Sequence, residues 1–359
     1  MHIGYATTFQ NPNRMFSDKE VWENEIAFCM LAEKLGLDSI WSTEHHFTDY
    51  EMIPSPVQFL TYVAGRTTRM KLGTMVIVLP WHDPVRVASE INMLEHVSDG
   101  RMILGLGRGL ATVEFEGFRI NMEESRERFT ESLQTVLESL ETGQIYANTK
   151  HYKIPRRDIR PDPLYSFQGR TFVAGASKET MPLAARLGCG WLIIPTSTFA
   201  EIDKNLSAYK EAFAEAHPGK QHPKPLLDQF VFVDKDAGRA KDMAYKHIGT
   251  YYREILKHYN MAGDHFKDTK GYEHYAAQAA KLQANTEAVI EQFLAMQSWG
   301  TPDQVIEKFR AHHQHLGMAT CLIHFFYGGM SRPDGEANLT LFAKEVMPEL
   351  KKWGQDQFL

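Results

Sequence analysis

The feature that most limits what this chain can become is an alternation, met eight times, between a short apolar run and a longer run with helical periodicity. The apolar runs predict strands over His2–Thr8, Ser39–Thr43, Met70–Ile77, Arg101–Gly105, Thr171–Ala174, Trp191–Ile194, Leu227–Val233 and Ala319–Phe325. Helices are predicted between them, beginning with Asp18–Leu35, for which Ser17 or Asp18 supplies the cap and Gly36 the end. Val57–Gly65, Pro84 to about Val97, Glu124–Leu140, Lys178–Leu187, Ala200–Ala216, a helix from Ala237, Asp303–His315 and a closing Leu339–Leu350 complete the series. Short right-handed crossovers let eight parallel strands close, so the expected fold is α/β, a (β/α)8 TIM barrel, formed as one domain over residues 1–359. One stretch breaks the pattern: Asn260–Ser298, polar, aromatic and partly helical, is an insertion after strand seven and a candidate lid.

Composition supports a large core and excludes some partners. With 359 residues and 43% hydrophobic content, the chain buries enough for a barrel. A net charge of −6 and the absence of a basic run argue against nucleic acid and anionic membrane surfaces. No apolar segment reaches the roughly 20 residues of a bilayer span. Cys29, Cys189 and Cys321 are odd in number and far apart, as expected of reduced, buried thiols. The chain enters a strand at once, with no charged leader before an apolar run, and a cytoplasmic location is expected.

In a barrel the chemistry gathers at the C-terminal ends of the strands. Ser39-Ile40-Trp41-Ser42-Thr43-Glu44-His45-His46-Phe47 is a short strand ending in a carboxylate and two imidazoles. Strand alternation puts Glu44 and His46 on one face and His45 on the other, so one imidazole can face a site while its neighbours support it. Histidine titrates near neutrality, which makes His45 with Glu44 an acid/base candidate. The pair would equally serve to satisfy buried backbone groups.

Gly105-Leu106-Gly107-Arg108-Gly109 ends strand four. It reads either as a phosphate-cradling turn, with Arg108 supplying charge, or as a tight turn with a surface arginine. Gly175-Ala176-Ser177-Lys178-Glu179-Thr180 follows strand five, where orphan backbone N–H groups and two hydroxyls suit an anion, or where Ser177 is an ordinary helix cap. His312 and His315 share a helical face, but no cysteine or carboxylate pattern accompanies them, and no metal site is expected.

Several blocks carry a family resemblance. Trp41 to Thr48, Gly73 to Pro80, His82-Asp83-Pro84-Val85-Arg86, Gly105 to Leu110 and Met122-Glu123-Glu124-Ser125-Arg126 resemble bacterial luciferase, particularly its α subunit. The likeness continues in order through Ser177 to Thr180, Gly300-Thr301-Pro302 and Val346-Met347-Pro348, and so covers nearly the whole chain. It implies the luciferase-like flavin-dependent monooxygenases, TIM barrels that use reduced FMN and dioxygen.

By position, His45 resembles that family's catalytic histidine, with Glu44 beside it. Arg108, Ser177 and Thr180 resemble its flavin-phosphate contacts. Met75-Val76 matches the family's non-proline cis peptide beneath the flavin ring. Gly107 stands where the luciferase α subunit has a reactive cysteine near the flavin, and Phe326-Tyr327-Gly328-Gly329-Met330 is closer to non-luminous members. Both departures point away from light emission.

The resemblance implies a two-component enzyme, served by a separate NAD(P)H-dependent flavin reductase and assembled as a homodimer. Dioxygen adds to the reduced ring to give a hydroperoxide, and His45 sets its protonation state. An aldehyde or ketone substrate would give an acid or ester, whereas an electron-rich carbon or heteroatom would be hydroxylated. Two other readings use the same barrel: a deazaflavin-dependent oxidoreductase transferring hydride without oxygen, and a non-catalytic flavin carrier, which would need the phosphate site but not the base.

Overall fold

Parallel pairing runs in a complete circle. In the computed structural model, which describes residues 1–175, 179–194, 199–270 and 272–353, β1 (His2–Ala6) pairs with β2 (Ser39–Ser42) and β2 with β3 (Lys71–Thr74). The ladder continues through β4 (Met102–Gly107), β5 (Thr171–Ala174) and β6 (Gly190–Ile193). It then passes through β7 (Leu226–Val233) and β8 (Thr320–His324), and β8 returns to β1. The predicted (β/α)8 barrel is therefore closed.

Helices flank the circle: α1 (Asp18–Leu35), α2 (Pro56–Ala64), α3 (Pro84–Val97), α4 (Ser125–Thr142), α5 (Thr180–Arg186), α6 (Phe199–Ala216), α7 (Ala237–His258) and α8 (Pro302–Leu316). Local sequence sets their ends. Ser17 and Glu20 form a reciprocal capping box on α1, and Gly36 closes it at φ 90°. Pro56, Pro84 and Pro302 occupy first turns, where their missing N–H costs no helical bond.

The barrel is plugged by one side chain from each strand or its immediate end: Ala6, Trp41, Met75, Ile103, Phe172, Leu192, Leu226 and Leu322. Trp41 is the largest of them, and glycines make its space. A Cβ at Gly4 would lie 2.7 Å from the indole, and one at Gly73 would collide with it outright.

The inner face of β4 reads Ile103, Gly105, Gly107, and its bareness shapes the mouth. A Cβ at Gly105 would strike the Thr74 carbonyl oxygen, and one at Gly107 would strike Val76 Cγ2. Thr74 Oγ1 donates to the Gly105 carbonyl at 2.8 Å and accepts from the Gly105 N–H at 2.8 Å, which locks the approach. The strand expected over Met70–Ile77 is consequently two pieces. After β3 the chain moves inward at a cis peptide between Met75 and Val76, and Ile77–Val78 pairs again with β4.

Other departures have local causes. An antiparallel hairpin, Gln144–Asn148 with Lys153–Asp158, stands between α4 and β5 and was not expected. Only Ile145 and Ala147 of its first strand are buried, so it offers no apolar run to read. The closing helix begins at Arg332, capped by Ser331, rather than at Leu339. The insertion holds two helices, Ala276–Ala284 and Thr286–Met296, before Ser298–Gly300 joins the edge of β7. Its Met261, Phe266 and Tyr272 pack with Leu110 and Met122, which follow β4, so this segment crosses the mouth from one side of the barrel to the other. Among the described residues, no helix is long and apolar enough to cross a membrane.

Candidate active site

A cavity of about 260 Å³ opens at the C-terminal ends of the strands. Its wall includes Glu44, His45, Met75, Val76, Gly107, Arg108 and Thr180, which brings together the described residues singled out in the sequence. Ser177 lies outside the described residues.

His45 follows β2 and is held by a carboxylate distant in sequence. Its Nδ1 lies 3.2 Å from Glu114 Oε1, on the short helix Thr112–Gly117 that leaves β4. The same oxygen accepts the His46 N–H at 2.8 Å and lies 3.5 Å from His258 Nε2. A carboxylate accepts, so His45 Nδ1 carries the proton, and Nε2 is left to accept from the Tyr259 hydroxyl at 3.3 Å. The ring is further boxed edge-on by Tyr50 and His258.

Glu44, beside His45 in sequence, bonds to other partners. Its Oε1 meets His82 Nε2 at 2.6 Å and His46 Nε2 at 3.3 Å, and its Oε2 accepts the Val78 N–H at 2.8 Å. Strand alternation carries on past β2, sending Glu44 and His46 to one side and His45 to the other, so Glu44 braces the chain just beyond the Met75–Val76 step. Glu114 is the carboxylate that touches His45.

Electrostatics follow the same division. Burial opposes the imidazolium of His45, but the Glu114 charge and hydrogen bond, with the charges of Glu51 and Glu44, outweigh it and raise its pKa. Burial likewise opposes ionised Glu114, yet His45 and His258 hold it down to about 2. Burial wins at His258, whose pKa is lowered, so this second imidazole is neutral beside the first. At Glu44, hydrogen bonds from His46, His82 and Val78 overcome burial and keep the carboxylate ionised.

Ligand atoms of His45, Glu114 and His258 lie within 4.8 Å of one another, a spacing that would also suit a divalent cation. The sequence drew attention instead to His312 and His315, which bond separately to the Lys308 carbonyl and Asp203.

Arg108 is buried on the cavity wall, its guanidinium 4.0 Å from the centre of the Tyr272 ring. Tyr272 donates to the Gly109 carbonyl at 2.9 Å, so the insertion fixes the turn that carries the arginine. Thr180 opens α5 from the neighbouring strand, β5, and is also buried.

The fold and this rim are those of a TIM-barrel enzyme with its cavity at the C-terminal ends of the strands. The Luciferase-like monooxygenase family model matches residues 1–320, and the chain belongs to that family. It is 26% identical over 356 residues to an alkanal monooxygenase alpha chain of Photorhabdus luminescens, covering 97% of this chain and 96% of the relative. It is 24% identical to the oxygenase component of a flavin-dependent trigonelline monooxygenase of Acinetobacter baylyi, over 66% of this chain and 68% of that one. Among solved structures, the oxygenating constituent of 3,6-diketocamphane monooxygenase of Pseudomonas putida, in complex with FMN, superposes with a TM-score of 0.74 at 21% identity, covering 97% and 98% of the two chains. An F420-dependent secondary alcohol dehydrogenase shares the fold with a TM-score of 0.71 at 14% identity, covering 97% and 98%.

Glu114, His258 and Tyr259 escaped sequence reading. Glu114 was within reach, since it sits just past the end of β4, where barrel chemistry gathers. His258 ends a 22-residue helix and carries no local signal.

Two outcomes are expected. Glu114→Gln removes the charge that raises His45, so the His45 midpoint, followed by NMR titration, moves to lower pH; an unmoved midpoint contradicts the clamp. Gly107→Cys drives its Cβ into Val76 and weakens flavin binding about fivefold or more, on the scale of overpacking by about 1–3 kcal/mol, whereas Gly107→Cys with Val76→Ala recovers most of it. Equal affinities in a fluorescence titration of the two variants would refute this account of the glycine.

Proposed function

We propose that the chain is the oxygenase component of a two-component, FMN-dependent monooxygenase acting on a small organic substrate. The observation that carries this reading is His45, fixed by Glu114 on the wall of a cavity that Arg108 and Thr180 also line.

The residues fit flavin mononucleotide. A buried guanidinium beside a helix-opening hydroxyl suits the phosphate, and Met75, Val76, Leu110 and Ala174 offer an apolar surface for a planar ring. Reduced FMN, delivered by a separate NAD(P)H-dependent reductase, supplies the electrons that activate dioxygen. Arg108 and Thr180 hold and orient the phosphate end. Tyr259, Met261 and Tyr275, contributed by the insertion and its approach, wall off water in the manner of a lid. His45 exchanges a proton at Nε2 while Glu114 stabilises the imidazolium that results.

An aldehyde or ketone, giving an acid or ester, fits this proton chemistry, as does hydroxylation of an electron-rich atom. The shared barrel of the F420-dependent dehydrogenase keeps hydride transfer from a deazaflavin as the second reading, distinguished by which reduced cofactor supports turnover and whether dioxygen is consumed. A simple carrier has no use for a clamped imidazole.

His45→Ala should bind FMN as the parent does while product formation falls by about 10²- to 10⁴-fold, the usual contribution of general acid/base help. Unchanged turnover in that variant removes His45 from the mechanism.

A further inference from the structure

The wall opposite the Met75–Val76 step is acidic. In the circle of strands β7 stands four places from β3 in either direction, so the inward side chains of β7 and its neighbour β8 face the step across the cavity. Asp228 points inward from β7, one pleat beyond the plug residue Leu226, and its Oδ1 lies 3.1 Å from Nε2 of His324, which ends β8. His324 is anchored through Nδ1 to Thr8 Oγ1 at 2.9 Å and lies parallel to the Phe230 ring at 4.3 Å. Glu51, from the loop after β2, stands on the same wall and accepts hydrogen bonds from Thr43 and, at 2.9 Å, from the Tyr251 hydroxyl. Asp228, Glu51 and His324 are all at least 95% buried, with exposures of 4%, 1% and 1%.

Two carboxylates thus meet one imidazole, lined by the rings of Phe230 and Tyr251. Buried carboxylates are costly unless something donates to them. Hydroxyls already serve Glu51, whereas Asp228 Oδ1 has His324 Nε2, at 3.1 Å, beside it. Burial raises the pKa of Glu51 against the charges of His45 and His324, and at His324 burial is outweighed by Asp228, Glu51 and Glu25, which raise its pKa, so one imidazolium faces the two carboxylates of this wall. An unsubstituted apolar aldehyde would leave this wall unsatisfied, and a carboxylate-bearing ligand would be repelled.

We propose that this wall is the head-group subsite of the organic substrate, and that it takes a protonated amine. Asp228 accepts from the ammonium, Glu51 stands by as a second carboxylate acceptor, and the rings of Phe230 and Tyr251 line the subsite. The assignment as a substrate subsite rests on the oxygenase reading above, with the flavin ring against Met75 and Val76; the binding preference does not.

Calorimetric titration with 2-phenylethylamine, 2-phenylethanol and phenylacetate at neutral pH, without oxygen or reductant and with oxidised FMN present, tests it. The amine should bind about tenfold or more tightly than the alcohol, and phenylacetate weakest. Asp228→Asn should cost the amine about tenfold while leaving FMN affinity and the melting temperature near those of the parent, and Glu51→Gln should act in the same direction. Equal or tighter binding of phenylacetate, no binding by any of the three, or amine affinity unmoved in both variants would overturn the proposal. Because no turnover is read, a hydride-transferring enzyme would leave the binding result standing, and failure of the amine preference would leave the oxygenase reading standing.

Discussion

The contact on which the mouth of this barrel depends is backbone against bare backbone, Thr74 against Gly105. Only a strand without side chains on that face lets the neighbouring chain come so close. That approach turns Met75 into the barrel plug and sets Val76 on the cavity wall, in the space a side chain at Gly107 would need. Glu44 ties the far side of the step, Val78, back to the end of β2. The glycines of β4 that suggested a phosphate cradle are therefore spacers first at 105 and 107, and Arg108 is the buried cation next to them.

Around that step the carboxylates are divided between two sets of partners. Glu44 is satisfied by His46, His82 and a backbone amide, whereas Glu114 serves His45 and has His258 within ion-pair distance. One imidazole of the second pair is pushed toward its charged form and the other toward neutrality, so their environments separate two groups that start alike. On the far wall Asp228, Glu51 and His324 make a third polar group, separated from the arginine by the width of the barrel.

What could be read from sequence was whatever depends on neighbours in the chain. Strand and helix periods located all eight barrel strands because each apolar run feeds a closed, fully buried ladder. His45 and Arg108 were visible because they end such runs. The split of strand three was hidden, since its cause, the glycine face of β4, belongs to another strand. Glu114 lies 69 residues from His45, and Tyr259 lies 214 residues from it, distances over which periodicity says nothing. Asp228 did leave a trace: an acid in the middle of Leu226–Val233, a run buried at every position, needs a partner or a ligand.

A flavin with its phosphate at Arg108 and its ring at His45 is the central proposal for this site. Its most direct test is an anaerobic titration comparing reduced FMN with reduced riboflavin, in the parent and in Arg108→Ala. The account predicts that FMN binds the parent about tenfold or more tightly than riboflavin, through charge-assisted contacts to the phosphate, and that the difference collapses in the variant. Equal binding of the two flavins by the parent would contradict it.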